Sequence, residues 1–155
     1  MNNSELVQEF KEKYLVLAKK HGLPSFEELN TEFLLEDFIQ FKGYVPQLVL
    51  RAVRNILVDH FYQWVNFLHN FVFPNQQSLI YMSEHNYLTE EDKAHIETII
   101  NRLMLVNRYN IKLDIDKNEE KDALFIKEKY AEWLQWKSEL IVITDKLEDF
   151  WKKKN

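Results

Sequence analysis

The chain has 155 residues, of which 46% are hydrophobic and 14% aromatic, and this apolar content excludes an intrinsically disordered protein. It contains no cysteine, which excludes disulfides, thiolate nucleophiles and zinc or iron–sulfur sites held by cysteine. The 20 lysines and arginines are dispersed among 25 aspartates and glutamates, so no large basic field for a phosphate backbone is predicted. This length predicts a single domain over residues 1–155.

The first predicted elements are a long helix and a short one. Apolar side chains recur at three- and four-residue steps between Glu5 and His21, which predicts a helix that Gly22 caps. The sequence SFEE at 25–28 has the spacing of a capping box. It predicts a short helix near Phe26 to Glu32.

The next predicted elements lie between two prolines. A long helix is predicted from a first turn near Pro46 to about Phe73, where Pro74 blocks its continuation. Asn75 is then predicted to cap a short helix over 76–85.

Two further long helices complete the chain. Thr89 and Asp92 have the spacing of a helix start, and the helix they begin is predicted to run to about Asp114. The last helix is predicted from about Glu119 to Lys152. With no alternating strand pattern, the sequence predicts an all-α fold: a single antiparallel bundle of about four long helices plus two short ones.

The segment Val49–Phe73 carries many polar residues within an apolar run. At about 100° per residue, Arg51, Arg54 and Asp59 fall on one side of the helix and the aliphatic and aromatic residues on the other. The pattern predicts a central packing helix with one polar stripe. A membrane span is not predicted, because the glutamine and asparagine side chains would need partners in hydrocarbon.

The sequence EEDKAH at 90–95 suggests a metal site. Asp92 and His95 have the i, i+3 spacing that carboxylate-bridged di-metal bundles use, and His85 is a third candidate ligand. The alternative is that Asp92 caps the helix and stabilises its dipole.

All four arginines of the chain form two pairs, Arg51 with Arg54 and Arg102 with Arg108. If they converge, their guanidinium groups are candidates for binding a small anion or a carboxylate-rich partner. The alternative is ordinary ion pairing with aspartates and glutamates.

The last helix has more apolar surface than one bundle seam requires. Trp136 or the flank formed by Leu124, Ala131 and Val142 is therefore predicted to stay partly exposed and to bind a partner. The alternative is burial of these residues in a wide core.

Four phrases of the sequence carry a resemblance that extends over most of the chain: LPSFEELNTEF, PNQQSLIYMSEHNYLTEEDK, NRLMLVNRY and FIKEKYAEWLQWKSEL. In these phrases and in helix order the chain resembles small all-helical archaeal proteins of unassigned function. The resemblance implies a cytoplasmic microbial protein and assigns no chemistry to any residue.

The function that the sequence favours is a non-enzymatic helical protein–protein interaction module or small assembly subunit. Its partner is expected to be another protein or a second copy; a membrane partner is not expected and nucleic acid is disfavoured. No cofactor is predicted. A cytoplasmic location is expected, because the segment MNNSELVQEFKEKY lacks the features of a secretory signal. Two alternatives stay open: a metal- or small-anion-binding bundle acting as enzyme or sensor, and a small subunit of a nucleoprotein complex whose arginines contact phosphates.

Overall fold

The structure is a computed structural model that describes residues 2–154, and it confirms an all-helical fold with 85% helix. Within the described residues there is no strand, and no helix there is both long and apolar enough to cross a membrane. The helices, in chain order, are α1 (Asn3–His21), α2 (Phe26–Phe33), α3 (Leu35–Lys42), α4 (Val49–Val72), α5 (Leu79–Tyr87), α6 (Glu90–Asp116) and α7 (Glu119–Lys153). Four of these are long, as predicted, but three are short where two were predicted.

The additional short helix results from a backbone reversal at Leu34. This residue has a left-handed conformation with φ 57° and ψ 52°, which ends α2 and places α3 directly after it. The side chain of Asn30 fixes the junction by accepting from the Glu36 backbone N–H at 2.9 Å. No local signal predicts this break, because leucine seldom adopts the left-handed region.

The predicted helix ends near the N-terminus are confirmed. Gly22 caps α1 with φ 66°, a conformation that glycine adopts without a steric penalty. The Ser25 hydroxyl accepts from the Glu28 backbone N–H at 3.1 Å, and the Glu28 carboxylate accepts from the Ser25 N–H at 2.9 Å. These reciprocal bonds are the predicted capping box.

Two predicted helix starts need correction. Helix α4 begins at Val49, so Pro46 lies before its first turn rather than within it. Helix α5 is capped by Ser78, whose hydroxyl accepts from the Tyr81 backbone N–H at 3.3 Å. Asn75 instead accepts from the backbone N–H two residues further on, so it closes a turn and not a helix.

The described chain divides into two compact units. Unit 1 takes in the residues up to His60 together with Tyr109–Glu132, and unit 2 takes in Phe61–Arg108 together with the residues from Trp133 onward. The single domain stays a prediction.

Unit 1 is built on the packing of α1, α2 and α3. The ring of Phe26 meets those of Phe10 and Tyr14 edge to face, with centroids 5.9 and 6.2 Å apart. The Tyr14 hydroxyl donates to the carbonyl of Pro24 at 2.6 Å, which fastens the loop between the first two helices. Burial raises the pKa of this hydroxyl well above its usual range, so it stays a donor.

Unit 2 has an aromatic core centred on Phe61 of α4. Its ring lies 5.6 Å from that of Trp133 and 5.6 Å from that of Trp136, both on α7. Leu68 and Phe71 continue the buried side of α4. Each of these large rings buries a large apolar surface, which stabilises this unit.

Candidate functional site

The buried polar side chains of unit 1 lie around Arg54 of α4, whose side chain is fully buried. Its Nη1 donates to the backbone carbonyl of Asn110 at 2.9 Å and also to the side-chain oxygen of that residue. Its Nη2 pairs with Asp114 Oδ1, and its Nε lies 3.2 Å from Asp122 Oδ1. One guanidinium group therefore joins α4 to both α6 and α7.

Two more residues of α4 complete this group, which we call the Arg54 cluster. Arg51 places its Nε 3.2 Å from Asp114 Oδ1, and Asn55 accepts from the side-chain amide of Asn110 at 2.9 Å. The cluster contains two arginines and two aspartates, so its formal charges cancel. The ion-pairing alternative for Arg51 and Arg54 is therefore the arrangement observed.

Asp122 is the most unusual carboxyl of the Arg54 cluster. Its side chain is only 12% exposed, and this burial raises the pKa of the carboxyl above its usual range. The adjacent negative charge of Asp114 raises that pKa further, while Arg54 opposes the shift. Asp122 consequently keeps its proton to a higher pH than an exposed aspartate does.

A pocket of about 160 Å³ opens beside the Arg54 cluster in unit 1. One wall of the pocket is apolar and consists of Leu17, Leu48, Val49, Leu50 and Leu113. The rest of the lining is polar: Gln47, the three cationic side chains Arg51, Arg54 and Lys117, and the three acidic side chains Asp114, Glu119 and Asp122. Because these charges balance, the pocket is better suited to a neutral or zwitterionic molecule than to an anion.

Unit 2 has its own arginine–carboxylate group, which we call the Glu139 cluster. Arg102 Nη1 lies 2.5 Å from Glu139 Oε2, and His95 Nε2 lies 3.2 Å from Glu139 Oε1. The hydrogen bond from Arg102, the largest cause, lowers the pKa of the Glu139 carboxyl. Burial opposes this shift, and the bond from His95 lowers the pKa further. The cluster joins α6 to α7.

The four arginines do not form one clamp. Arg51 and Arg54 are engaged within unit 1, and Arg102 is engaged within unit 2. Arg108 is exposed and donates to the side-chain oxygen of Asn107 at 2.7 Å. Three of the four arginines are thus neutralised by a carboxylate, which leaves little net positive charge to attract an anion.

The three candidate metal ligands are engaged separately. Across residues 2–154, no group of three or more histidine, aspartate or glutamate side chains is close enough to hold a metal ion. His85 Nδ1 lies 2.5 Å from the carbonyl oxygen of Phe71, whereas His95 belongs to the Glu139 cluster.

Asp92, the third candidate ligand, has the capping role proposed as its alternative. Its backbone N–H donates to the Thr89 hydroxyl at 3.1 Å, and its carboxylate accepts from the Thr89 backbone N–H at 3.1 Å. The same carboxylate pairs with Lys146, so the start of α6 is tied to α7 within unit 2. Burial is the largest single influence on the pKa of Asp92 and raises it. The hydrogen bonds from Lys146 and Thr89 together outweigh burial, so the pKa is lowered.

Of the two surfaces that the sequence offered for partner binding, Trp136 is buried. Its side chain is only 8% exposed, because the ring packs edge to face against Phe61 and Arg102 covers it with the guanidinium carbon 5.6 Å from the ring centre. Burial in a wide core, the alternative stated for Trp136, is therefore the arrangement observed at this position.

The remaining candidates for partner binding are exposed on α7. Leu124 and Ala131 are exposed in unit 1, and Val142 is exposed in unit 2. Their apolar side chains are accessible, as the sequence predicted.

Sequence reasoning missed the carboxylates and amides that meet the arginines. Asn110 and Asp114 are four residues apart, so they lie on the same face of α6 beside the buried Leu113. That spacing was a usable signal for a polar patch. Their pairing with Arg54 was not predictable, because the partners are 56 and 60 residues apart in the chain.

No protein-family model, curated protein or solved structure matches this chain.

Proposed function

We propose that the chain is a non-enzymatic helical module that binds a protein partner through apolar side chains exposed on α7. The observation that carries this proposal is the exposure of Leu124 and Val142, which are 54% and 50% accessible, with Ala131 also exposed. Exposed apolar side chains on a helix can serve as contacts for another protein. Cytoplasmic residence and the single antiparallel bundle are part of the same proposal.

The spacing of Leu124 and Ala131 supports a shared helix face. Within unit 1, positions 124 and 131 fall within about 20° of each other on an ideal helix, and Val142 is exposed separately in unit 2. The opposite side of α7 is already filled by buried residues, namely Ala123, Phe125, Ile126, Trp133, Trp136, Leu140, Ile143, Leu147 and Phe150. Leu124, Ala131 and Val142 are therefore surplus to the core and available to a partner.

Unit 2 adds a second feature of the same kind. A groove of about 150 Å³ is lined by Trp64, Trp133, Lys137, Leu140, Ile141 and Thr144. Ile141 is 54% exposed at its edge. A groove with aromatic walls can accept an apolar side chain of an amphipathic helix, which is a common mode of helix recognition.

The alternatives receive less support from the geometry. To bind an anion or a phosphate, an arginine needs a positive charge that no carboxylate neutralises. Arg51, Arg54 and Arg102 each face a carboxylate. The proposal therefore rests on apolar contact and not on the polar clusters.

Site-specific photocrosslinking in native cells tests this function. A photoreactive residue at position 124 or 142 is expected to give a discrete crosslinked protein, because a bound partner would cover these side chains. The control is the same residue at Glu97, which is exposed on α6. Crosslinking at position 97 equal to that at 124 and 142, or no discrete product at any position, would contradict the proposal.

A further inference from the structure

The pocket beside the Arg54 cluster holds backbone donors that no described protein group accepts from. Helix α4 begins in its lining, where the first intrahelical bond runs from the Ala52 N–H to the Leu48 carbonyl at 3.0 Å. The N–H groups of positions 49–51 therefore have no acceptor within the helix, and no other residue among 2–154 supplies one. Val49 and Leu50 are only 4% exposed, so bulk water reaches their donors poorly. Buried donors of this kind are rare, and they indicate that another molecule supplies the acceptor.

Two buried side chains of the same pocket also have polar atoms without a hydrogen bond. Arg54 Nε and Asp122 Oδ1 lie 3.2 Å apart as an ion pair, yet neither atom forms a hydrogen bond within the described residues. Arg54 lies one turn after Leu50, and helix side chains lean toward the N-terminus, so this pair lies beside the start of α4. The pocket therefore places an unused acceptor close to the unused donors.

Lys117 brings a positive charge to the lining without a carboxylate partner. This exposed residue, between α6 and α7, forms no ion pair with the rest of the described chain. Glu119, by contrast, already pairs with Lys20 at 2.8 Å. An unpaired ammonium and the free N–H groups at a helix start both favour a carboxylate, whereas the carboxyl of Asp122 favours an ammonium group. The lining is thus complementary to a molecule that carries both charges.

We propose that this pocket binds a free amino acid with a small aliphatic side chain. The carboxylate accepts from the N–H groups of positions 49–51, the ammonium donates to Asp122, and the side chain contacts the apolar wall that includes Leu17 and Leu113. A cavity of about 150 Å³ is enough for one benzene molecule. The pocket volume of about 160 Å³ therefore suits a molecule the size of valine or leucine. The inference goes beyond the proposed function, because it uses neither the exposed residues of α7 nor a protein partner.

Amide NMR of the full chain, isotope-labelled and titrated with L-valine, tests the site. A ligand this small binds weakly, so a dissociation constant in the micromolar to millimolar range is expected. The amide signals of positions 49–51 are expected to shift saturably as L-valine rises to about 10 mM, above that range. Isovalerate lacks the ammonium group and isobutylamine lacks the carboxylate, so each is expected to bind at least about tenfold more weakly than L-valine.

A pair of substitutions at Leu48 separates binding from folding. Leu48 is 59% exposed and occupies the cap position of α4, because its carbonyl accepts the first intrahelical bond. Leu48→Ser supplies a hydroxyl acceptor for the free N–H groups. It is expected to keep or raise the thermal midpoint while weakening L-valine binding several-fold relative to Leu48→Ala. The matched control Leu48→Ala removes the same apolar side chain and supplies no acceptor.

The charge of Asp122 provides an independent test. Asp122→Asn keeps the shape of the side chain and removes its negative charge. It is therefore expected to weaken L-valine binding about tenfold and to leave isovalerate binding unchanged or tighter. A merely structural role of Asp122 would weaken the binding of both ligands alike.

The proposal is overturned by the absence of a saturable shift at positions 49–51, by equal affinity for L-valine and isovalerate, or by equal L-valine affinity of Leu48→Ser and Leu48→Ala. None of these results bears on crosslinking at positions 124 and 142. The α7 proposal therefore holds or fails separately from the pocket.

Discussion

The Arg54 cluster of unit 1 and the Glu139 cluster of unit 2 contain the same chemical groups in different surroundings. The Arg54 side chain is 1% exposed, whereas the side chains of Arg102 and Glu139 are 31% and 30% exposed. Water screens the second pair and stabilises its separated ions, but it does neither for the first. The comparison teaches that burial, and not the presence of an ion pair, decides how strongly such a contact constrains the fold.

The two clusters also differ in how their carboxyls titrate. Burial raises the pKa of Asp122, while the hydrogen bond from Arg102 lowers the pKa of Glu139. In the first case loss of solvent outweighs an adjacent arginine, and in the second the arginine outweighs a partial loss of solvent. The same type of pair therefore gives opposite pH dependence in the two units.

The largest difference between the clusters is expected from removing the arginine. Arg54→Ala leaves Asp114 and Asp122 without their shared counter-charge, and it is expected to lower the free energy of unfolding by about 3–5 kcal/mol. Arg102→Ala, the matched control, is expected to lower it by about 1 kcal/mol or less, because water replaces the lost partner. Urea unfolding measures both values, and equal losses would remove the distinction between the clusters.

The asparagine of the Arg54 cluster provides the next test. Asn110 is 4% exposed and bonds to both Arg54 and Asn55. Asn110→Ala removes the side-chain oxygen that accepts from Arg54 and the amide that donates to Asn55, and is expected to cost about 1–3 kcal/mol of unfolding free energy. The control is Asn107→Ala, because Asn107 bonds only to the exposed Arg108; its expected effect is within about 0.5 kcal/mol. Similar thermal midpoints for the two variants would argue against a tightly buried network.

The pH dependence of Asp122 is expected to have the reverse sign of ordinary acid denaturation. Because its pKa is raised in the folded state, its contribution is fully present below the unfolded value of about 3.9 and is lost as pH rises through the folded pKa. The stability of the wild type relative to Asp122→Asn should therefore fall as pH increases from about 4. Urea titrations at several pH values measure this difference, and a difference that grows with pH would contradict the raised pKa.

How much of the fold and of the two clusters could be predicted from the sequence depended on how far apart in the chain the interacting residues are. The bonds of Ser25 with Glu28 span three residues, and a pattern of that length is visible in the sequence itself. The polar side of α4 was also visible, but whether Arg54 faced water or a carboxylate depended on residues more than 50 positions away. The break at Leu34 was hidden for another reason: the Asn30 side chain fixes it, and leucine gives no local signal for a left-handed turn.

The smallest effect is expected at the carboxylate of the Glu139 cluster. Glu139 contributes stability above the unfolded pKa of about 4.3, and this contribution is lost as pH falls through its lowered folded pKa. Glu139→Gln is therefore expected to be destabilised by about 1 kcal/mol or less at neutral pH, and to converge with the wild type as pH falls below about 4. High salt should reduce the neutral-pH difference as well, because this pair is open to solvent. A difference unaffected by both acid and salt would place Glu139 in the same class as the buried cluster, and the contrast between the two regions would then need another cause.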